Sequence, residues 1–407
     1  MRSFGVDVAA TSLFAVFQAL LSPFVLIVAV QRGAAPWEVG LLTAAPNAAM
    51  LLSGWYARLA ERRRLVPWVS WTSGLGRALL LLGAWGSGLG LFLGAYCGFS
   101  ILSAASNPAY TAIERAIYHE RWRGQLMAGV RTALGLVQFL GTLVAGRLMD
   151  AYGSARVWTV AVIFGIGSAV VFTRMPEPAS AARPAGSEPR DRVAGRGALA
   201  LAAADPRFRA LIVAVMLAGG GNLLVAPGYP LYQVHRLHLT DGAVADLTAV
   251  WALAWTVCYP LWGRICDRRR PALVVALACG CYVVPPLCYA AGAHLPVLLG
   301  AYLVQGVGDS ALDAGWQNHV MRLAGDRIGV YAAAYYTFLG VRGTLMPMLG
   351  AAAAARFGLV PLFLAGAAMV LAGLWCARRL PDAPLPLARD VRGAPEQRVA
   401  PGSGARA

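Results

Sequence analysis

The sequence predicts an all-α integral membrane protein: twelve transmembrane helices in two parallel six-helix pseudo-repeats. Three observations lead there. The first is composition. Of 407 residues, 58% are hydrophobic and 13% charged, against roughly 45–50% and roughly 25% in soluble chains, and the mean hydropathy is +0.59. The second is spacing: twelve stretches are long and apolar enough, or nearly so, to cross about 30 Å of hydrocarbon, which takes about 20 residues. The third is internal similarity. Leu93-Gly94-Ala95-Tyr96 recurs as Leu299-Gly300-Ala301-Tyr302, and Glu61-Arg62-Arg63-Arg64 as Asp267-Arg268-Arg269-Arg270, both at an offset of 206. Gln18 and Pro23 match Asn222 and Pro227, and Gly141-Thr142-Leu143 matches Gly343-Thr344-Leu345, at offsets of 204 and 202.

The spans are expected near 5–30, 38–57, 66–86, 90–112, 128–150, 156–174, 208–231, 243–262, 271–292, 295–318, 329–354 and 360–377. The apolar stretch of the first runs from about Val8 to Val30. That exceeds the ~7–15-residue core of a signal peptide, so a retained helix is expected. Prolines inside several spans are tolerable where neighbouring helices or water satisfy the freed backbone groups. Residues 1–175 form the N-terminal half, and 208–380 the C-terminal half. The Pro-, Ala- and Arg-rich stretch 176–207 reads as a cytoplasmic linker, and 381–407 as a disordered cytoplasmic tail. Six spans per half give both halves the same orientation, and such parallel repeats hold a substrate site between them near the midplane.

All 35 basic residues are arginine, and the formal net charge is +16. Twenty-eight arginines fall in the loops and tails on the side of the termini. Only Arg32, Arg147, Arg156, Arg236 and Arg356 lie on the other side, and Arg77 and Arg342 lie inside spans. Positive-inside bias then makes both termini cytoplasmic, in a bacterial-type inner membrane. It also assigns the basic charge to topology rather than to nucleic acid. The seven cysteines mostly fall in apolar segments and read as packing residues. No G-x-x-x-x-G-K-[ST] is present, so no ATP-driven pump is expected. Gly306-Val307-Gly308-Asp309-Ser310-Ala311 resembles a dinucleotide loop but has no preceding strand. No metal site, cofactor or catalytic residue is expected, and the chain is expected to act as a monomer in the lipid bilayer.

The loop after the second span of each half carries the most specific motif. It reads Gly263-Arg264-Ile265-Cys266-Asp267-Arg268-Arg269-Arg270 in the second half and Ala57-Arg58-Leu59-Ala60-Glu61-Arg62-Arg63-Arg64 in the first. With the twelve-span repeat, this resembles the major facilitator superfamily, whose corresponding loop reads approximately G-x-x-x-D-R-x-G-R-R. The first copy departs by Ala for Gly and Glu for Asp, and both copies lack the second glycine. The resemblance implies a non-enzymatic carrier in which Glu61, Arg62, Gly263, Asp267 and Arg268 brace the halves on the cytoplasmic side. An arginine cluster that only fixes topology is the plain alternative. The helix-4 arginine and helix-5 proline motif common among the family's proton antiporters are absent.

Polar side chains in hydrocarbon are costly unless they face a cavity or a partner. Gln305, Asp309, Asp313 and Gln317 recur every four residues along one face of the tenth span. Gln18, Asn107, Gln138 and Asn222 lie in spans that the resemblance places around a central cavity. Asp309 and Arg342 are both expected ~15–20 Å deep at 1.5 Å per residue, so they could pair. Such a pair could contact substrate or protons, or it could simply fix helix packing. Arg77 has no identifiable partner, and Gly90, Gly94 and Gly98 suggest close helix packing. The expected function is secondary transport of a small molecule by alternating access: proton-coupled efflux of amphipathic or hydrophobic compounds, since the cavity helices are rich in aromatic residues, or alternatively uptake or facilitated transport of a polar metabolite such as a sugar.

Overall fold

Helix is the structure that a lipid-embedded backbone adopts when it must satisfy its own polar groups. The computed structural model describes residues 2–61, 63–117, 120–177, 196–268, 271–324 and 328–380. Its helices are α1 (Arg2–Leu21), α2 (Val25–Gln31), α3 (Pro36–Leu51), α4 (Ser53–Glu61), α5 (Leu65–Trp85), α6 (Leu89–Ile117), α7 (Glu120–Tyr152) and α8 (Ser154–Phe172) in the first half. They continue with α9 (Arg196–Ala204), α10 (Pro206–Val225), α11 (Gly228–His235), α12 (Asp241–Arg268), α13 (Pro271–Ala290), α14 (Leu295–Ala324), α15 (Ile328–Phe357) and α16 (Leu359–Arg378). Among the described residues there is no strand.

Two crossings are broken at repeat-matched prolines. Pro23 separates α1 from α2, and Pro227 opens α11 after α10, because proline donates no backbone hydrogen bond. Among the described residues, eleven helices or helix pairs are long and apolar enough to span a bilayer. The crossing expected at 38–57 is α3 with α4, split at Leu52. Part of the stretch expected as linker, 196–204, is instead the helix α9. Asp205 caps the next helix, accepting from the amides of Arg207 and Phe208 at 2.9 and 3.3 Å.

The two halves pack alike. In the first, α1 contacts α7 and α8, α5 contacts α6 and α8, and α3 contacts α6. The second repeats this with α10 on α15 and α16, α13 on α14 and α16, and α12 on α14. Two long seams join them, α3 with α15 and α7 with α12, and α2 also packs against α11. The α3–α15 seam is a close helix approach: a Cβ on Gly40 would meet Ala351 Cβ at 2.6 Å and the Pro347 carbonyl at 3.0 Å. Two arginines, Arg77 and Arg32, have local partners. Arg77 donates to the Gly165 carbonyl and lies over Phe14 and Phe17 at 4.8 and 5.5 Å, tying α5 to α8 and α1. Arg32 donates to the carbonyls of Gly83 and Ala84 at 2.8 and 3.1 Å, closing the end of α5. The glycine spacing of α6 does less than expected. A Cβ on Gly90 or Gly94 would meet nothing within 4 Å, and only Gly98 faces a neighbour, Leu79.

We call the side bearing the chain termini the terminal face and the opposite side the far face. Exposed Trp55, Trp71 and Trp375 ring the first, and Trp37, Trp85 and Phe357 the second. Aromatic rings favour these two interfacial levels.

Candidate functional site

The centre of the second half holds the densest polar network inside the membrane. Asp309 lies fourteen residues past Leu295 and fifteen before Ala324 in α14, so it is roughly 21 Å of rise from either end at ~1.5 Å per residue. Its carboxylate accepts from Trp251 Nε1 of α12 at 2.6 Å and from Tyr282 Oη of α13. One turn further on, Asp313 accepts from Trp255 Nε1 at 3.3 Å. Trp251 and Trp255 are four residues apart on α12, as the aspartates are on α14, so the helices meet as two parallel rungs. Backbone approach makes this register possible: a Cβ on Gly306 would collide with the Trp251 carbonyl oxygen. Trp255 also packs on Tyr259 with ring centroids 4.9 Å apart. Asp309 is half-buried and Asp313 exposed. Among the described residues both accept only from neutral donors, so the network can hold a carboxylate, or a carboxylic acid, without a fixed cation.

The expected Asp309–Arg342 pair does not form. Arg342 is also central, fourteen residues past Ile328 and fifteen before Phe357. Its guanidinium turns away to α10, donating from Nη1 to the Val215 carbonyl at 2.8 Å. It lies against Gly219, where a Cβ would coincide with the guanidinium. Equal depth was legible in the sequence. Rotation about the helix axis, set by the gap at Gly219, was not.

The other expected site residues are more dispersed. Gln305 is half-buried, one turn before Asp309 on α14. Gln18 of α1 accepts from Ser22 Oγ at 3.1 Å beside the Pro23 break. Gln138 of α7 and Asn222 of α10 are half-buried, and Asn107 of α6 is exposed. The side chains of Gln305, Gln138, Asn107 and Asn222 have no hydrogen bond among the described residues. The structure therefore gathers Asp309, Asp313 and Gln305 on one helix and leaves the rest apart. In the loop motif, Arg62 lies outside the described residues, as do the side chains of Glu61, Asp267 and Arg268. Gly263 has nothing within 4 Å of a Cβ position.

Sequence reasoning missed the donors Trp251, Trp255 and Tyr282. Their signal was present, since the i, i+4 tryptophans of α12 mirror the i, i+4 aspartates of α14. It also missed a second buried cluster, in which Gln233 Nε2 donates to Tyr289 Oη at 2.6 Å and to Tyr302 Oη at 2.9 Å, tying α11 to α13 and α14.

At the far face the halves are joined by polar contacts. Asp150, near the end of α7, accepts from the backbone amides of Asp241 and Gly242 at the start of α12, at 3.0 and 2.9 Å. Gln31 Nε2 donates to Asp241 Oδ1 at 3.0 Å, and Arg147 stands 3.7 Å from Asp246. Among the described residues, hydrogen bonds and ion pairs between the halves occur only here. At this face the ends of α7 and α12 are therefore closed against each other.

Comparison with known proteins agrees with the architecture. The family model of the Major Facilitator Superfamily matches residues 8–340 and 211–403. A multidrug resistance protein, MdtG of Yersinia enterocolitica, is 25% identical over 258 residues, covering 60% of this chain and 59% of that protein. The match thus spans less than two thirds of that relative. The crystal structure of the nucleoside transporter NupG superposes with a TM-score of 0.72 at 10% identity, over 93% of this chain and 99% of that one. A bacterial homologue of the lysosomal transporter Spinster, inward-facing and occupied, gives 0.69 at 13% identity over 92% and 95%. Twelve crossings in two like halves, two helix seams between them and a family match across the chain lead to one assignment: this is a multi-pass membrane transporter, not an enzyme, and it belongs to the major facilitator superfamily.

Proposed function

We propose that this chain is a proton-coupled exporter of amphipathic or hydrophobic compounds that works by alternating access. The observation that carries the reading is Asp309. It is a carboxylate at mid-membrane depth whose described partners, Trp251 and Tyr282, are neutral. Such a group can take up or release a proton as its access to water changes sides. A proton drives a carrier only if it binds the two states differently, which a carboxylate with no fixed cation can do when its access to water changes. Trp251, Trp255 and Tyr259 supply an aromatic wall beside it, which suits an apolar ligand. The multidrug resistance relative supports export as the direction.

The orientation belongs to the same proposal. Both termini face the cytoplasm, by the 28-to-5 arginine division, and the monomer is the transporting unit. Reporter fusions near Arg190 and at the C-terminus test this, since a far-side signal from either reverses the topology. Bracing by Glu61, Arg62, Asp267 and Arg268 on the cytoplasmic side is also part of the proposal, on the motif alone.

A second reading is uptake of a polar solute. It is favoured by Gln138, Asn222, Asn107 and Gln305, which leave hydrogen-bonding capacity for a ligand. Reconstituted protein separates the two. The proposal requires an amphipathic fluorescent dye to accumulate in liposomes with an acidic lumen and to be lost on adding a protonophore. Sugar entry indifferent to pH, without dye accumulation, would favour uptake.

A further inference from the structure

We infer that Asp150 is the far-face latch of the transport cycle: a positioning residue whose carboxylate caps a helix of the other half and so holds the far side shut. The argument begins with backbone accounting. The first amides of a helix have no partner within it, and those at the start of α12 are all accounted for. The Ala243 amide donates to Thr240 Oγ at 3.2 Å and the Val244 amide to the Thr240 carbonyl at 3.1 Å, both local. The remaining two, Asp241 and Gly242, donate to the two oxygens of Asp150 across the seam. A carboxylate at a helix N-terminus is doubly favoured, by charge-assisted hydrogen bonds and by the positive end of the helix dipole.

The backbone is shaped for this contact from both sides. A Cβ on Gly242 would sit 2.7 Å from Asp150 Oδ2. A Cβ on Gly146, one turn before Asp150, would meet the Asp241 carbonyl oxygen and Gly242 Cα at 2.8 Å, and would overlap Ala245. Gln31 adds a third link from the first half by donating to Asp241. The Arg147–Asp246 pair is solvent-exposed, with side chains 66% and 43% accessible, and adds little.

The other seam lacks this device. There the N-terminus of α3 is capped from within, the Ala35 amide donating to Glu38 Oε2 at 2.7 Å. The contacts of α3 with α15 are close packing, with Gly40 on Ala351, Asn47 on Gly343 and Leu51 on Gly340, and among the described residues no hydrogen bond joins them. Apolar surfaces in close contact can slide and tilt without losing directional bonds. The α7–α12 seam cannot open without breaking two. The latch is therefore one-sided: the far face opens when Asp150 releases α12, with the α3–α15 seam as the pivot.

This inference rests on the alternating-access reading, and its test uses no substrate and no pH gradient. Leu91 of α6 and Val297 of α14 are 49% and 53% exposed, sit at the far face and occupy matching places in the two halves. With the seven native cysteines replaced by alanine, nitroxides at Leu91→Cys and Val297→Cys report the far-face opening in lipid nanodiscs by pulsed electron spin resonance. Asp150→Ala removes both bonds and should raise the long-distance population at least about tenfold, the factor that one hydrogen bond to a charged group already gives. Asp150→Asn keeps one acceptor oxygen and should fall between. Gly242→Ala and Gly146→Ala leave Asp150 in place but wedge the seam, and should also lengthen the distance. A folded Asp150→Ala protein with an unchanged distribution overturns the latch. If Asp150→Ala is not recovered folded, unchanged distances in both glycine variants overturn it instead. Loss of pH-driven transport in Asp309→Asn with these distances intact would concern the coupling site alone.

Discussion

Replacing Asp309 by asparagine removes a charge while keeping a shape, and the structure says what should follow. The carboxylate has two donors, Trp251 Nε1 and Tyr282 Oη. An indole N–H only donates, so the asparagine must present its oxygen to Trp251. Its amide nitrogen then faces Tyr282, whose hydroxyl can turn and accept. Both contacts survive as neutral hydrogen bonds. The loss per contact is the difference between roughly 1.5–3 and roughly 0.5–1.5 kcal/mol. Against that, a charge no longer has to be desolvated, which is itself a matter of several kcal/mol. The net change in stability should be small, within about 2 kcal/mol of zero. Asp309→Ala is different: it strands both donors, at about 1–3 kcal/mol each, and should lower the thermal midpoint clearly. The functional prediction is separate from stability. If one proton on Asp309 drives each cycle for a neutral substrate, steady-state accumulation should rise about tenfold per unit of pH gradient, since about 1.4 kcal/mol is tenfold. In Asp309→Asn that slope should fall to zero, while substrate-for-substrate exchange across proteoliposomes continues. A folded Asp309→Asn protein with the wild-type slope would refute the reasoning, and Asp313 would become the group to examine.

Three further outcomes follow from particular contacts. Gly219→Ala should push Arg342 off the Val215 carbonyl, costing about 1.5–3 kcal/mol for the bond and about 1–3 for overpacking; in an Arg342→Met background the same change should cost much less, as read by thermal unfolding in detergent. Asp205→Ala should cost about 0.5–2 kcal/mol as a lost helix cap. Partial burial opposes ionisation of Asp205, but the Tyr331 hydroxyl and the amides of Phe208 and Arg207 outweigh it and hold the carboxyl below its usual range. Its contribution is therefore complete above about pH 4 and lost as pH falls through the lowered value, so acid unfolding curves of wild type and Asp205→Ala should converge at low pH. Asp267→Asn should cut transport while leaving expression and insertion intact; normal flux in it and in Glu61→Gln would leave those loops as topology signals alone.

Much of the fold was legible because membrane insertion imposes long apolar stretches, and the offset near 206 paired them into halves. The prolines at 23 and 227 mark the breaks in the first crossing of each half, but nothing in the sequence set them apart from Pro46, Pro108, Pro260, Pro285, Pro286 and Pro347, which lie inside unbroken helices. The split at Leu52 was less visible, since no proline marks it and the stretch is apolar through Leu52. The depth of Asp309 and Arg342 could be counted along the chain. Their separation depended on which way each helix turns, and that is fixed by contacts such as Gly306 on Trp251 and Gly219 on Arg342. The tryptophan donors were overlooked for a related reason: an aromatic residue in an apolar helix reads as packing until a carboxylate is found opposite its N–H. Arg77 shows a charge whose partner could not be named from the sequence; it is held by a carbonyl and two phenylalanine rings.

The repeat also shows that the two halves are chemically unequal where they are structurally alike. At the offset of 206, Trp251, Trp255, Tyr282, Asp309 and Asp313 correspond to Ala45, Ala49, Gly76, Ser103 and Asn107. The donor–carboxylate network thus has no counterpart in the first half. Gly76 instead lets α5 press against α6, where a Cβ would meet Leu102 Cβ at 3.0 Å. The first half therefore offers a smooth wall of small residues where the second offers two carboxylates and their donors. On the proposed mechanism this inequality is useful. When the halves rock, Asp309 moves with its own donors and keeps their hydrogen bonds, so only its access to water changes. A network shared between the halves would have to be broken at every turnover. Among the described residues, the directional bonds found across the seam lie at the far face, where Asp150 meets α12. Proton exchange and gate opening are in that way assigned to different groups, so each can be perturbed without removing the other.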